Sequence, residues 1–126
     1  MQAAPLHQLL LESARALVAL REGRSLTEAL TACPEPLRPG TQALSFAAVR
    51  AFGRCGALLA LMLPRKPQPL SEGLLRAALT QLLPGAGAYA EHTVVNQAVQ
   101  AMKRAAPAQS ALVNAVLRRF QREREA

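Results

Sequence analysis

The chain has 126 residues, of which 51% are hydrophobic but only 3% aromatic, and 15 Lys and Arg oppose 8 acidic residues for a net charge of +7. That length suits one domain, and the lack of a long uninterrupted apolar run excludes a hydropathic membrane-spanning helix. Nearly all the cations are Arg and every anion is Glu, an excess that makes a polyanion, nucleic acid before membrane surface, the default partner.

Residues 6–22 place Leu6, Leu10, Ala14, Leu17 and Val18 at near-helical spacing, and Gly23 follows as a stop. Ser25, with Glu28 three residues on, has the pattern of a capping box opening a short helix. The prolines of Cys33-Pro34-Glu35-Pro36-Leu37-Arg38-Pro39-Gly40 predict a loop. Thr41 then caps a long helix to about residue 63, whose apolar face reads Phe46, Val49, Phe52 or Gly53, Gly56, Leu59, Ala60 and Leu63. Gly53 and Gly56, each about 0.5–1 kcal/mol less favourable in a helix than Ala, predict a close approach by a neighbouring helix. After the proline-rich break at 64–69, Ser71 is expected to cap a helix carrying Leu74, Leu75, Ala78, Leu79, Leu82 and Leu83. Pro84-Gly85-Ala86-Gly87 is the next loop. From about 90 to 104, Val95, Ala98, Val99 and Met102 share a face, with Lys103 and Arg104 in the last turn, where cations suit the dipole. Pro107, at or near the first helical position, opens a final helix with the stripe Leu112, Val113, Val116, Leu117 and Phe120. No segment alternates with period two, so the fold class is all-α: a compact bundle of about six or seven helices packed through Ala and Gly.

Catalytic constellations are missing from the sequence. There is no Asp, the imidazoles are His7 and His92, and no serine stands in a Gly-x-Ser-x-Gly elbow. Gly85-Ala86-Gly87 follows a predicted helix, not the strand a dinucleotide loop requires. Two histidines and scattered Glu make no metal set, so this chain alone is expected to hold no metal or cofactor and to catalyse nothing. Cys33 and Cys55 form neither a Cys-x-x-Cys pair nor a disulfide framework, and Cys33-Pro34 reverses the Pro-Cys order of cytosine methyltransferases. Without the basic start of a signal peptide, both are expected as free thiols in a reducing cytoplasm. His92 reads as a cap or loop residue, with a ligand contact as the alternative, and the amides of Asn96 and Asn114 are expected to be buried and to tie helices together in preference to contacting RNA directly.

Binding is the function class left. Arg118 and Arg122 are i,i+4 neighbours, as are Arg50 and Arg54. The basic C-terminal run is either a solvated helix end paired with Glu, or a ridge facing nucleic acid or leading into another domain. The candidate phosphate contacts are Arg15, Arg50, Arg54, Arg118, Arg119 and Arg122. Tyr89 and three Phe offer few platforms for stacking bases.

Leu112-Val113-Asn114-Ala115-Val116-Leu117-Arg118-Arg119-Phe120 resembles the closing VNAVLRR signature of NusB-like domains. His92-Thr93-Val94-Val95-Asn96-Gln97-Ala98-Val99 is similar to the HAAVNEAV helix start, and the segment from Leu75 through Arg76 to Leu83 to the LRxALxQLL helix. Phe46-Ala47-Ala48-Val49-Arg50 is more loosely similar to YGVLR, and Gly23-Arg24-Ser25-Leu26 to the GxSL turn. Order is kept along nearly the whole chain. The ending Leu117-Arg118-Arg119-Phe120-Gln121-Arg122-Glu123 is similar to the N-terminal domain of ribosomal-RNA cytosine-C5 methyltransferases of the RsmB (Fmu/Sun) family, whereas free antitermination factors usually close on VNGVLD. The resemblance implies that residues 1–126 form a NusB-like RNA-binding domain. Its partners would be 16S ribosomal RNA and an adjoining S-adenosylmethionine-dependent methyltransferase domain outside this chain, with no membrane involved. A free-standing antitermination factor, or a protein-interaction module for the catalytic domain, are the alternatives. Departures from the family pattern are Leu9-Leu10-Leu11-Glu12 where an early Arg is common, Ala47 or Ala48 for the Gly of YGVLR, Cys55-Gly56 for Leu-Asp, and Gln97 for the Glu of VNEAV. They imply reduced or redirected RNA contact, above all at the N-terminus.

Overall fold

A computed structural model describes residues 4–86 and 88–124. Gly87 of the expected second loop, the first three residues and the Glu125-Ala126 end of the basic run lie outside the described residues. The described residues form seven α-helices and no strand, as the periodicity predicts. They are α1 (Leu6–Arg21), α2 (Leu26–Thr31), α3 (Arg38–Arg50), α4 (Phe52–Met62), α5 (Pro69–Leu82), α6 (Glu91–Ala105) and α7 (Ser110–Glu123), with 3-10 turns at Glu35–Leu37 and Pro107–Gln109.

The local stop and start signals act as expected. Gly23 ends α1 in the left-handed region at φ 98°, and the Arg24 N–H returns to the Ala19 carbonyl at 3.1 Å. The Ser25 hydroxyl accepts the Glu28 N–H at 3.1 Å, capping α2. Two expectations fail nearby. Pro39 and Gly40 belong to the first turn of α3 and not to a loop, because a first-turn residue needs no intrahelical N–H partner. Ser71 is no cap: α5 starts earlier, with Pro69 in its first turn, and the buried Ser71 hydroxyl donates to Gln109 Oε1 at 3.1 Å.

The expected long helix from Thr41 is two helices. At Ala51 (φ −100°, ψ 14°) the chain leaves helical geometry, and α4 departs from α3 at 72°. No single helix is long and apolar enough to cross a membrane. The face of α3 also differs from the expected one. Thr41, Leu44, Ser45 and Ala48 are buried, while Phe46 and Val49 are 42% and 36% exposed. The reason is the seam with α1, where small polar side chains satisfy one another: Ser13 donates to the Thr41 carbonyl and Ser45 to the Ser13 hydroxyl, each at 3.4 Å.

At the centre lies α5, buried on all sides from Ser71 through Leu82. It crosses α1 so closely that a Cβ at Gly73 would stand 2.7 Å from the Ala14 carbonyl oxygen. The close approach expected at Gly53 is absent, since open space faces it, and Gly56 faces the guanidinium of Arg76 and not a helix backbone. α6 and α7 run antiparallel, with Gln121 near the end of one bonded to Glu91 at the start of the other. They close the core with Val94, Val95, Ala98, Met102, Val113, Leu117 and Phe120. By contrast α4 buries only Cys55 and Leu59 and leaves a groove along each side.

Candidate nucleic-acid interface

The buried stripe of α7, Val113, Val116, Leu117 and Phe120, determines what its other side presents. Opposite that stripe Asn114, Arg118 and Arg122 follow at i, i+4 and i+8, and all three are exposed. Neither arginine has an ion-pair or hydrogen-bond partner among the described residues. The expectation that Asn96 and Asn114 are buried ties is therefore corrected. Asn96 likewise lies opposite the buried face of α6, Val94, Val95, Ala98 and Met102, and is exposed. His92 is exposed on the same outer stripe as Asn96 and caps nothing, because the cap position belongs to Ala90.

Arg119 points a third of a turn away, toward α4. Its Nη1 donates to the Met62 carbonyl at 3.0 Å and its Nε to Glu123 at 2.7 Å, which fastens α7 to the end of α4. Across a groove of about 840 Å³ stands Arg54, exposed and without such a partner among the described residues. Tyr89, Phe120 and Arg124 line the same groove. Arg124 donates to the Leu82 carbonyl at 3.3 Å and pairs with Glu91. The hydrogen bond from Arg124 holds the Glu91 carboxyl below the usual carboxylate range, with Gln121 adding to the effect.

The structure thus brings Arg118 and Arg122 onto one ridge and Arg54 and Arg119 onto one groove. Arg50 and Arg54, i,i+4 in sequence, sit on different helices because the chain bends between them. Arg50 is exposed at the end of α3. Arg15 is exposed on α1, with its Nη1 on Glu12 at 2.7 Å.

Sequence reasoning missed a second cationic cluster. Arg76 is buried within α5, donating from Nε to Glu72 at 3.2 Å and from Nη1 to the Phe52 carbonyl at 2.7 Å, with its guanidinium 3.7 Å from the Phe52 ring centroid. Arg21, from the end of α1, reaches the same Glu72 oxygen at 2.6 Å. Arg65 and Lys66 stand exposed in the linker above them. The available signal was Arg65-Lys66 held between Pro64 and Pro67, a basic pair on a stiff linker; the burial of Arg76 had none.

No group of three or more His, Cys and Glu side chains among the described residues could hold a metal ion. Cys33 and Cys55 are free and buried. Burial pushes the Cys55 thiol up, against the opposing pull of Thr80 and the charges of Arg76 and Arg54. Pro84 and Gly85 follow helix α5 and not a strand.

The sequence profile of the NusB family matches residues 6–122. No curated protein and no solved structure matches the chain.

Proposed function

The chain belongs to the NusB family, and from that premise we propose that it is the RNA-docking domain of a 16S ribosomal-RNA cytosine-C5 methyltransferase. Domains of this family bind RNA. The observation that carries the reading is the ridge of α7, where Arg118 and Arg122 stand exposed in line with Asn114 and, among the described residues, without an ion-pair or hydrogen-bond partner. Guanidinium groups there neutralise phosphates and, through bidentate geometry, set the strand's orientation. The Asn114 amide, donor and acceptor at once, can meet a ribose hydroxyl or a base edge. Methyl transfer belongs to a separate S-adenosylmethionine-dependent domain, and docking through this one raises the effective concentration of that domain at its cytosine.

The ridge is tested by replacing Arg118 and Arg122 together with Ala and titrating a labelled 16S-derived RNA. Affinity is expected to fall, and the slope of log affinity against log salt to flatten by about one for each phosphate no longer neutralised. An unchanged slope sinks the ridge. The enzymatic context is tested in cells by deleting the segment that encodes residues 6–122. Loss of a 5-methylcytosine from 16S rRNA, read by bisulfite sequencing, is expected. Retention of every such mark, with impaired elongation through ribosomal-RNA operons, assigns the chain to antitermination.

A further inference from the structure

We propose a second phosphate-binding site, in the cleft beneath the α4–α5 linker, that takes a phosphodiester of the RNA strand. For its ligand it rests on the RNA-docking reading, but it uses none of the α7 residues. Two adjoining cavities of about 340 and 430 Å³ meet there, and Arg21, Lys66, Glu72 and Arg76 line both. Arg65 also lines the first. Arg21 and Arg76 converge on one oxygen of Glu72, at 2.6 and 3.2 Å. A single carboxylate therefore answers two guanidinium groups; Glu22 also lines the second cavity, and Arg65 and Lys66 have no ion-pair partner among the described residues, so four cations face two carboxylates.

Arg76 makes this a built site and not a patch of surface charge. Its side chain is only 9% exposed, and Glu72, the Phe52 carbonyl and the Phe52 ring hold its plane. Those partners engage Nε and Nη1, and the Nη2 edge has no hydrogen-bond partner among the described residues. That edge faces Gly56, which lines the first cavity, and a Cβ at Gly56 would lie 3.1 Å from Nη2. The missing side chain leaves the free edge of a pre-oriented guanidinium open to the cavity. Immobilised, partly desolvated arginine donors suit phosphate, whose oxygens accept paired N–H groups and whose charge offsets the local excess. The exposed Arg65 and Lys66 stand where neighbouring phosphates of a strand would pass.

The experiment uses the full chain, a fluorescein-labelled single-stranded 16S-derived oligonucleotide and inorganic phosphate. The Arg65→Ala/Lys66→Ala variant alters only exposed side chains, and it is expected to weaken RNA binding about tenfold and to lower the salt slope by one to two. Gly56→Ala removes no charge and is expected to weaken RNA binding by narrowing the approach to Nη2. A Lys103→Ala/Arg104→Ala control, which deletes equal charge at the end of α6, should have the smaller effect. Inorganic phosphate should shift the Arg21 and Arg76 Nε–H resonances of the wild type. If both cleft variants bind RNA like wild type while Arg118→Ala/Arg122→Ala does not, the cleft is refuted and the ridge stands. Phosphate-induced shifts without any change in RNA affinity also overturn the site as one for RNA, and a wild-type chain that binds no RNA overturns both assignments.

Discussion

Two glycines on neighbouring helices should respond oppositely to the same methyl group. At Gly73 a Cβ meets backbone, the Ala14 carbonyl oxygen at 2.7 Å, which cannot rotate away. Gly73→Ala must push α1 from α5, an overpacking cost of about 1–3 kcal/mol that outweighs a helix-propensity gain of about 1 kcal/mol. A fall in the urea midpoint is the expected result. Gly53 faces open space, and Gly53→Ala should raise the midpoint by the equivalent of about 0.5–1 kcal/mol. The sequence pointed to the wrong glycine for a physical reason. Periodicity marks Gly53 and Gly56 as sharing a helix with large apolar residues, but it carries nothing about what the neighbouring element brings to that face. Gly73 lies in a helix buried all round, where no polar side breaks the symmetry and no single face can be chosen. Asn96 and Asn114 misled similarly: each sits beside a buried valine in sequence, yet one residue along a helix is a rotation of about 100°, enough to carry an amide from core to solvent.

At the scale of whole elements, ends set by local chemistry were legible and ends set by neighbours were not. Gly23 and Ser25 act within their own turns, and both perform as their residue types require. The break at Ala51 has no proline or glycine at the point of rupture. It arises because α3 must follow its small-residue seam with α1, while α4 must turn to cover Cys55 and Leu59 against α5. The start of α1 is another case. Its cap residue is Pro5, which offers no side-chain acceptor, and the Oε1 of Gln97 on α6 accepts the His7 N–H at 2.9 Å instead. A distant amide therefore satisfies one of the orphan donors of the helix. Gln97→Ala should cost about 0.5–1.5 kcal/mol and speed exchange of the His7 amide hydrogen. Gln97→Glu keeps the acceptor and places a negative charge at a helix N-terminus, so stability should be retained or rise slightly. A loss in Gln97→Glu as large as in Gln97→Ala would refute the capping role.

For the molecule as a whole, the charge excess works against the folded chain and in favour of its proposed ligand, so salt should move the two in opposite directions. With 15 Lys and Arg against 8 Glu, the compact state repels itself at low ionic strength. Raising NaCl from about 20 to 200 mM shortens the Debye length to below about 10 Å, and the melting temperature of the free chain should rise. Acid sharpens the effect. Because the folded Glu91 carboxyl titrates below its ordinary value, its contribution is present above the usual carboxylate range and is lost as pH falls through the depressed one. As that charge is lost the cationic excess grows, so salt should stabilise the free chain more in acid than at neutral pH. RNA reverses the sign. At about 20 mM salt and a roughly hundredfold excess over its dissociation constant, it adds about 2.7 kcal/mol to the folded state, a melting shift on the order of 10 °C for a chain of this size. At about 200 mM, affinity falls steeply where several phosphates are engaged, and the shift at the same RNA concentration should largely vanish. A ligand-induced shift that survives this higher salt while the free chain gains stability would show that apolar contact, not phosphate neutralisation, holds the RNA, and the groove beside Tyr89 would then displace the arginine ridge as its seat.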